Sequence, residues 1–236
     1  MRNIESISKW IEEYSADIVG NISRESIDVY NFIKSEYETS NVTTNHLFQF
    51  VFRSFYRMDN AGLTPDFKTE YFILLEENRK VDRFDFDKVL RRLYTFPNRK
   101  GQNTLQFSFA TKMFNTIDHS MPIYDSEVCK MFSLSRPYQR EFDVKLDKYL
   151  DQLDVISKGY EEIRKFNLLP NAMGMFDNYF KDHALTEWKK LDFIFWSAGK
   201  LQTVLSKTGD NGYHTLEELD KLDAKSKRTH NNGYAQ

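Results

Sequence analysis

The sequence predicts an all-α protein. Apolar residues recur every three or four positions along most of the chain, and strictly alternating runs are few. Helix breakers are sparse, with five prolines and nine glycines in 236 residues, and the prolines fall at the edges of the periodic stretches.

The first helix is expected from about Ile4 to Val19, with Ile4, Ile7, Trp10, Ile11 and Tyr14 on one face. Ser23 to Ser26 opens a second, to about Glu38, with Val29, Phe32, Ile33 and Tyr37 inward. After the polar break Ser40 to Asn45, a third runs from His46 to Met58 with Phe48, Val51, Phe52 and Phe55. It stops at Asp59-Asn60-Ala61-Gly62, where Gly62 suits a left-handed C-cap. Thr64-Pro65-Asp66 starts the next, with proline in the first turn and Phe67, Tyr71, Phe72, Leu74 and Leu75 as its stripe.

A shorter helix, Asp85 to Tyr94, ends before Pro97, and Asn98 to Gln106, with Gly101, reads as a loop. Phe107 to Ile117 is helical and leads to a break at Asp118-His119-Ser120. Pro122-Ile123-Tyr124 then delivers Asp125 to the start of a helix from Ser126 to Phe132. Gln139 to Phe166 reads as two helices joined near Ser157-Lys158-Gly159 and stopped by Pro170. Met173 to Phe180 is a short helix, and Leu185 to Leu205 a strong one with Trp188, Leu191, Phe193, Ile194, Phe195 and Trp196. The tail from Ser206 is polar, with an acidic helical stretch from Thr215 to Asp223 and about ten closing residues expected to be disordered.

Composition excludes several classes. The single cysteine, Cys129, rules out an internal disulfide and any multi-cysteine zinc or iron–sulfur centre. The five histidines show no metal-ligand spacing, so neither metal nor other cofactor is expected. The amphipathic, acid-containing start is not a signal peptide, and no run is apolar enough to span a membrane. A cytoplasmic protein without a membrane partner is the expectation.

Net charge is −2, no mark of a nucleic-acid binder, but it is unevenly spread. From Lys88 to Ile117 there is no acidic residue, while Lys88, Arg91, Arg92, Arg99, Lys100 and Lys112 are basic. Gln102, Asn103 and Thr104 add neutral donors suited to phosphate oxygens. The same pattern also describes a solvated helix face followed by a polar loop. Asp125 likewise has two readings. It is an N-cap for the free amides of the next helix, or a cleft carboxylate that stabilises positive charge in a transition state.

The segment Leu105 to Phe132 resembles the core of the helix-hairpin-helix DNA glycosylases, the endonuclease III superfamily. Pro122, Ile123, Tyr124, Asp125, Ser126 and Val128 are similar to that family's Pro-x-Val-Asp-Thr-His-Val. Leu105 on the leucine of its hairpin motif places Phe107 and Phe109 at the two hairpin glycines. Thr111 then falls at the nucleophilic lysine of bifunctional members, with Lys112 one residue later. Phe52-x-x-Phe55-Tyr56-Arg57 and Leu191-Asp192-x-x-x-Trp196-x-x-Gly199-Lys200 also look like helices of glycosylase-like proteins.

The resemblance implies a two-lobed fold. A helical barrel would span residues 45–133, residues 1–44 and 134–205 would form the second lobe, and 206–236 the tail. Asp125 would sit in the cleft as the catalytic carboxylate, hydrolysing the N-glycosidic bond of a damaged or modified base flipped out of DNA. Lys112 is the lysine placed nearest to it. One residue of register turns a helical side chain by about 100°, which favours a monofunctional enzyme. Arg91, Arg92, Arg99, Lys100, Gln102, Asn103 and Thr104 would contact the backbone, and Tyr56, Tyr124 and Trp196 would stack on the base. Phe107 and Phe109 are expected in the core, because phenylalanine suits neither positive φ nor close phosphate approach. The alternative is an inactive glycosylase-fold accessory protein with a nucleic-acid or protein partner, in a phage-defence or mobile-element module.

Overall fold

Polar side chains set most of the helix starts. In the computed structural model, which describes residues 2–81, 83–208 and 214–218, Asn3, Ser23, Asn45, Thr64, Asp85 and Asp125 each accept a hydrogen bond from a backbone amide of the helix they precede. The helices are α1 (Ile4–Glu13), α2 (Ser15–Gly20), α3 (Arg24–Thr39), α4 (His46–Phe55), α5 (Pro65–Glu77), α6 (Phe86–Tyr94), α7 (Phe107–Ile117), α8 (Ser126–Met131), α9 (Phe142–Phe166), α10 (Pro170–Tyr179) and α11 (Glu187–Thr208). A 3-10 turn at Met58–Asn60 follows α4, and no strand occurs among the described residues. The protein is all-α.

Three elements differ from expectation. The first helix breaks at Tyr14 (φ −104°, ψ 22°). There the Trp10 indole donates to the His214 carbonyl at 2.7 Å, and the Tyr14 hydroxyl accepts from the His214 amide at 3.0 Å. A distant segment is therefore seated on the break. The third helix ends at Phe55 because Arg57 takes a left-handed conformation (φ 54°) and the chain turns into the 3-10 segment. Gly62 does adopt positive φ, 69°.

The third difference is α9, which is continuous where two helices were expected. Gly159 is no hinge. It is the point where α9 meets Phe132, whose Cε1 would stand 2.6 Å from a Cβ there. Of the stretch Thr215 to Asp223, only the beginning is described. Thr215 and Glu218 form a reciprocal capping pair, Glu218 N–H to Thr215 Oγ1 at 3.3 Å and Thr215 N–H to Glu218 Oε2 at 2.7 Å. The last ten residues lie outside the described residues.

Buried apolar side chains form two clusters. A terminal cluster joins α1, α2, the first half of α3 (Ile27, Tyr30) and α8 to α11. A central cluster joins the second half of α3 (Ile33, Tyr37), α4, α5, Val89 and Leu93 of α6, and Ile123. Helix α7 serves both, giving Phe107 and Ala110 to the first and Phe109, Met113 and Phe114 to the second. The seam does not follow residues 45 and 133. It runs through α3 and between Ile123 and Tyr124, because α8 packs on α11 rather than on the central helices. Asp125 is thereby delivered to the seam.

Candidate functional site

A cavity of about 450 Å³ opens at that seam, walled by Tyr56, Phe109 and Ile123 of the central cluster and by Val128, Phe193 and Trp196 on the terminal side. Its size lies within the range of roughly 300–1,000 Å³ common to small-ligand sites. Lys112, Asp125, Lys189, Asp192, Arg57 and Lys200 also line it.

Asp125 caps α8 and also lines the cavity. Its Oδ1 accepts from the Glu127 amide at 2.9 Å, capping α8. Its Oδ2 faces Lys112 Nζ at 3.7 Å. Lys112 is buried, 8 % exposed, donates to Ser108 Oγ at 3.1 Å, and lies over the Phe109 ring at 5.1 Å from its centroid. Burial pushes its pKa below the ordinary lysine value. The Asp125 carboxylate opposes that shift and the Arg57 guanidinium adds to it.

Lys112, one residue past the position of the family's lysine, reaches Asp125 as an ion-pair partner. Thr111 turns instead beneath the segment before Asp125, where its hydroxyl accepts the Tyr124 amide at 3.1 Å. That rotation leaves Lys112 pointing at the carboxylate.

Three buried polar residues absent from the expected site complete the hold on that segment. Asn115 Nδ2 donates to the Met121 carbonyl at 2.6 Å, and Asp192 Oδ1 accepts the Ile123 amide at 3.4 Å. Lys189 Nζ joins them, 3.1 Å from Asn115 Oδ1 and 3.4 Å from Asp192 Oδ2, with the Tyr30 ring centroid 4.4 Å away. Burial pushes Lys189 down and Asp192 up, each towards neutrality, and their pairing opposes both shifts. An i,i+3 Lys–Asp pair was visible in the sequence. Its burial was not, because the partners that enclose it, Asn115 and Tyr30, are remote in sequence.

The remaining predicted residues divide. Tyr56 and Trp196 line the cavity. Tyr124 does not, and its assignment as a stacking platform is corrected. Its ring packs edge-on against Phe107 and Tyr149, each 5.3 Å away, and its hydroxyl donates to Gln152 Oε1 at 2.6 Å.

Arg91 and Arg92 lie outside the cavity lining and are engaged by acids from outside the acid-free window. Arg91 pairs with Asp87 and Asp143, and Arg92 with Glu70 and Glu77. Arg99 and Lys100 are exposed, in a loop anchored by the Arg99 amide on the Gly62 carbonyl at 2.8 Å. Gln102 and Asn103 are exposed, and the Thr104 hydroxyl accepts from Gln106 Nε2 at 2.7 Å.

Phe107 stacks on Tyr149 at 4.7 Å, and Phe109 is 7 % exposed with its carbonyl accepting the Tyr71 hydroxyl at 2.9 Å. The Cys129 thiol is buried and pushed up to about 12 by desolvation. Among the described residues no group of three His, Cys, Asp or Glu side chains is placed to hold a metal. No described helix is long and apolar enough to cross a membrane. Comparison with known proteins gives no matching family model, no matching curated protein and no matching solved structure, so the functional reading rests on the geometry of this cavity.

Proposed function

We propose that the cavity receives a nucleoside unit flipped from DNA and hydrolyses its N-glycosidic bond, as a monofunctional glycosylase-like enzyme acting in the cytoplasm. The observation that carries this reading is the Asp125 carboxylate, one oxygen fixed by its cap and the other 3.7 Å from a buried lysine, inside an aromatic-walled cavity. As the bond breaks, its electron pair leaves with the base and the sugar gains oxocarbenium character. Asp125 stabilises that positive charge, and the low dielectric around it strengthens the effect. Water then adds at the anomeric carbon and gives its proton to Asp125. Lys112 orients the carboxylate and is a proton donor for the departing base. Tyr56, Phe109 and Trp196 offer walls for a planar base.

The test is binding to a DNA duplex carrying a cationic abasic-sugar analogue, against the unmodified duplex, for wild type and Asp125→Asn. An enzyme complementary to an oxocarbenium-like state prefers the analogue strongly and loses that preference with the charge. Equal, weak and salt-sensitive binding to both duplexes removes the catalytic assignment. It would favour the second reading, an inactive accessory protein, for which the burial of Phe107 and the occupied Arg91 and Arg92 are the supporting observations. The glycine hairpin that anchors DNA in the family has no counterpart here.

A further inference from the structure

Four cationic side chains border the cavity, Arg57, Lys112, Lys189 and Lys200. Two have their own carboxylates, Asp125 beside Lys112 at 3.7 Å and Asp192 beside Lys189 at 3.4 Å. Among the described residues, Arg57 and Lys200 have no carboxylate within 4.0 Å. Glu127, which also lines the cavity, is turned to Lys130 Nζ at 2.8 Å and Thr203 Oγ1 at 3.2 Å.

The backbone sets the direction of one cation and a ring contact seats the other. Arg57 sits in a left-handed backbone conformation (φ 54°, ψ 31°), unfavourable for a side-chain-bearing residue, which puts Tyr56 inward and Arg57 outward at the rim. Lys200 lies on Trp196, its Nζ 3.5 Å from the ring centroid. They also feel each other: after burial, the Arg57 charge is the main influence lowering the Lys200 pKa. Glu127 and Asp125 oppose that shift from a distance, but neither forms an ion pair with Arg57 or Lys200, which leaves both cations open to an external anion.

We infer that Arg57 and Lys200 clamp a phosphate esterified to the sugar that Asp125 faces, so that the cavity takes a nucleotide rather than a nucleoside. The guanidinium offers a planar fork that fits two phosphate oxygens, and the ammonium a compact point charge for a third. The aromatic walls select a phosphate that carries a planar ring. The phosphate belongs either to a strand or to a free mononucleotide. The exposed Arg99 and Lys100, tied to the turn after Arg57 through Gly62, extend positive charge beyond the rim for a strand to follow. The placement of the sugar rests on the proposed N-glycosidic chemistry, whereas the phosphate clamp is measurable without it.

The experiment titrates the full chain with thymidine 5′-monophosphate, with thymidine, and with a short single-stranded oligothymidylate, by calorimetry. Wild type, Arg57→Gln, Lys200→Gln and Asp125→Asn are compared. The monophosphate is expected to bind at least about tenfold tighter than the nucleoside. Each clamp substitution should lose about tenfold, the effect of one charge-assisted contact, and Asp125→Asn should keep the phosphate preference. An oligonucleotide that binds tighter than the mononucleotide assigns the phosphate to a strand, and equal binding assigns it to a free nucleotide. Equal binding of nucleotide and nucleoside, no binding of either, or a preference that survives both clamp substitutions overturns the inference. If the clamp holds and the cationic sugar analogue is not preferred, only the catalytic reading falls. If the analogue is preferred and the clamp substitutions change nothing, only the clamp falls.

Discussion

Gly199 of α11 lies directly beneath the Glu127 backbone of α8, with no room for a side chain between them. A Cβ on Gly199 would stand 2.6 Å from the Glu127 carbonyl carbon and closer still to its oxygen. Trp196 and Lys200 flank this contact on one helix, and Asp125 and Ser126 on the other, so it sets how closely Trp196 and Lys200 stand to Asp125 within the terminal wall of the cavity. Gly199→Ala is expected to lower stability by about 1–3 kcal/mol, the usual cost of overpacking. Gly174→Ala on α10, where a Cβ meets nothing within 4 Å, should raise it by about 0.5–1 kcal/mol. Urea unfolding of the two variants reads both signs.

The two roles of Asp125 separate by substitution. Asn caps a helix about as well as Asp, and Ala does not cap, so Asp125→Ala should be about 1 kcal/mol less stable than Asp125→Asn. Both should be equally unable to prefer a cationic sugar analogue. A functional difference between the two that follows their stability difference would show that Asp125 acts only as a cap.

Lys112 should lose its proton at lower pH than an ordinary lysine, because burial lowers its pKa, and lower still in Asp125→Asn, which removes the opposing anion. The unfolded chain holds that proton up to the usual lysine value of about 10.4. Between the folded and unfolded values the unfolded state therefore binds more protons, and stability rises with pH across that window. Lys112→Met abolishes this rise. Denaturant midpoints for wild type and Lys112→Met, followed from neutral to alkaline pH, should converge or cross in that direction.

Removing one partner of the buried Lys189–Asp192 pair leaves the other uncompensated, so Asp192→Ala should cost about 3–5 kcal/mol. The Lys189→Met/Asp192→Leu double variant should fall short of the summed single losses by about 1 kcal/mol or more. It should still lose the Ile123 amide contact. Strict additivity in the double-mutant cycle would mean that the pair is not coupled.

Local chemistry made much of the fold legible. Caps such as Asn3, Asn45 and Thr64 act within one turn of their own helix, and α7 was readable end to end. The break at Tyr14 was not, because it is tied to His214, and the continuity of α9 was not, because Gly159 answers to Phe132. Asp125 and Lys112 could be named from the segment that carries them. Asn115, Lys189 and Asp192 meet only when α11 returns to α7. Arg91 and Arg92 looked free because Asp143, Glu70 and Glu77 are remote in sequence.

Helix α7 has almost no solvent face: from Phe107 to Thr116 every residue except Ser108 is buried, and both apolar clusters draw on it. A neutral drift of sequence has little to work with there, since any change is felt at once by two cores and by the cavity that Lys112 enters. The outer face of α9, with Lys148, Asp151, Asp154 and Lys158 open to water, is free to wander. In a saturation mutagenesis library selected for folding, tolerance should therefore collapse along α7 and recover along α9. Related chains that have diverged almost everywhere else should still be recognisable by this one helix.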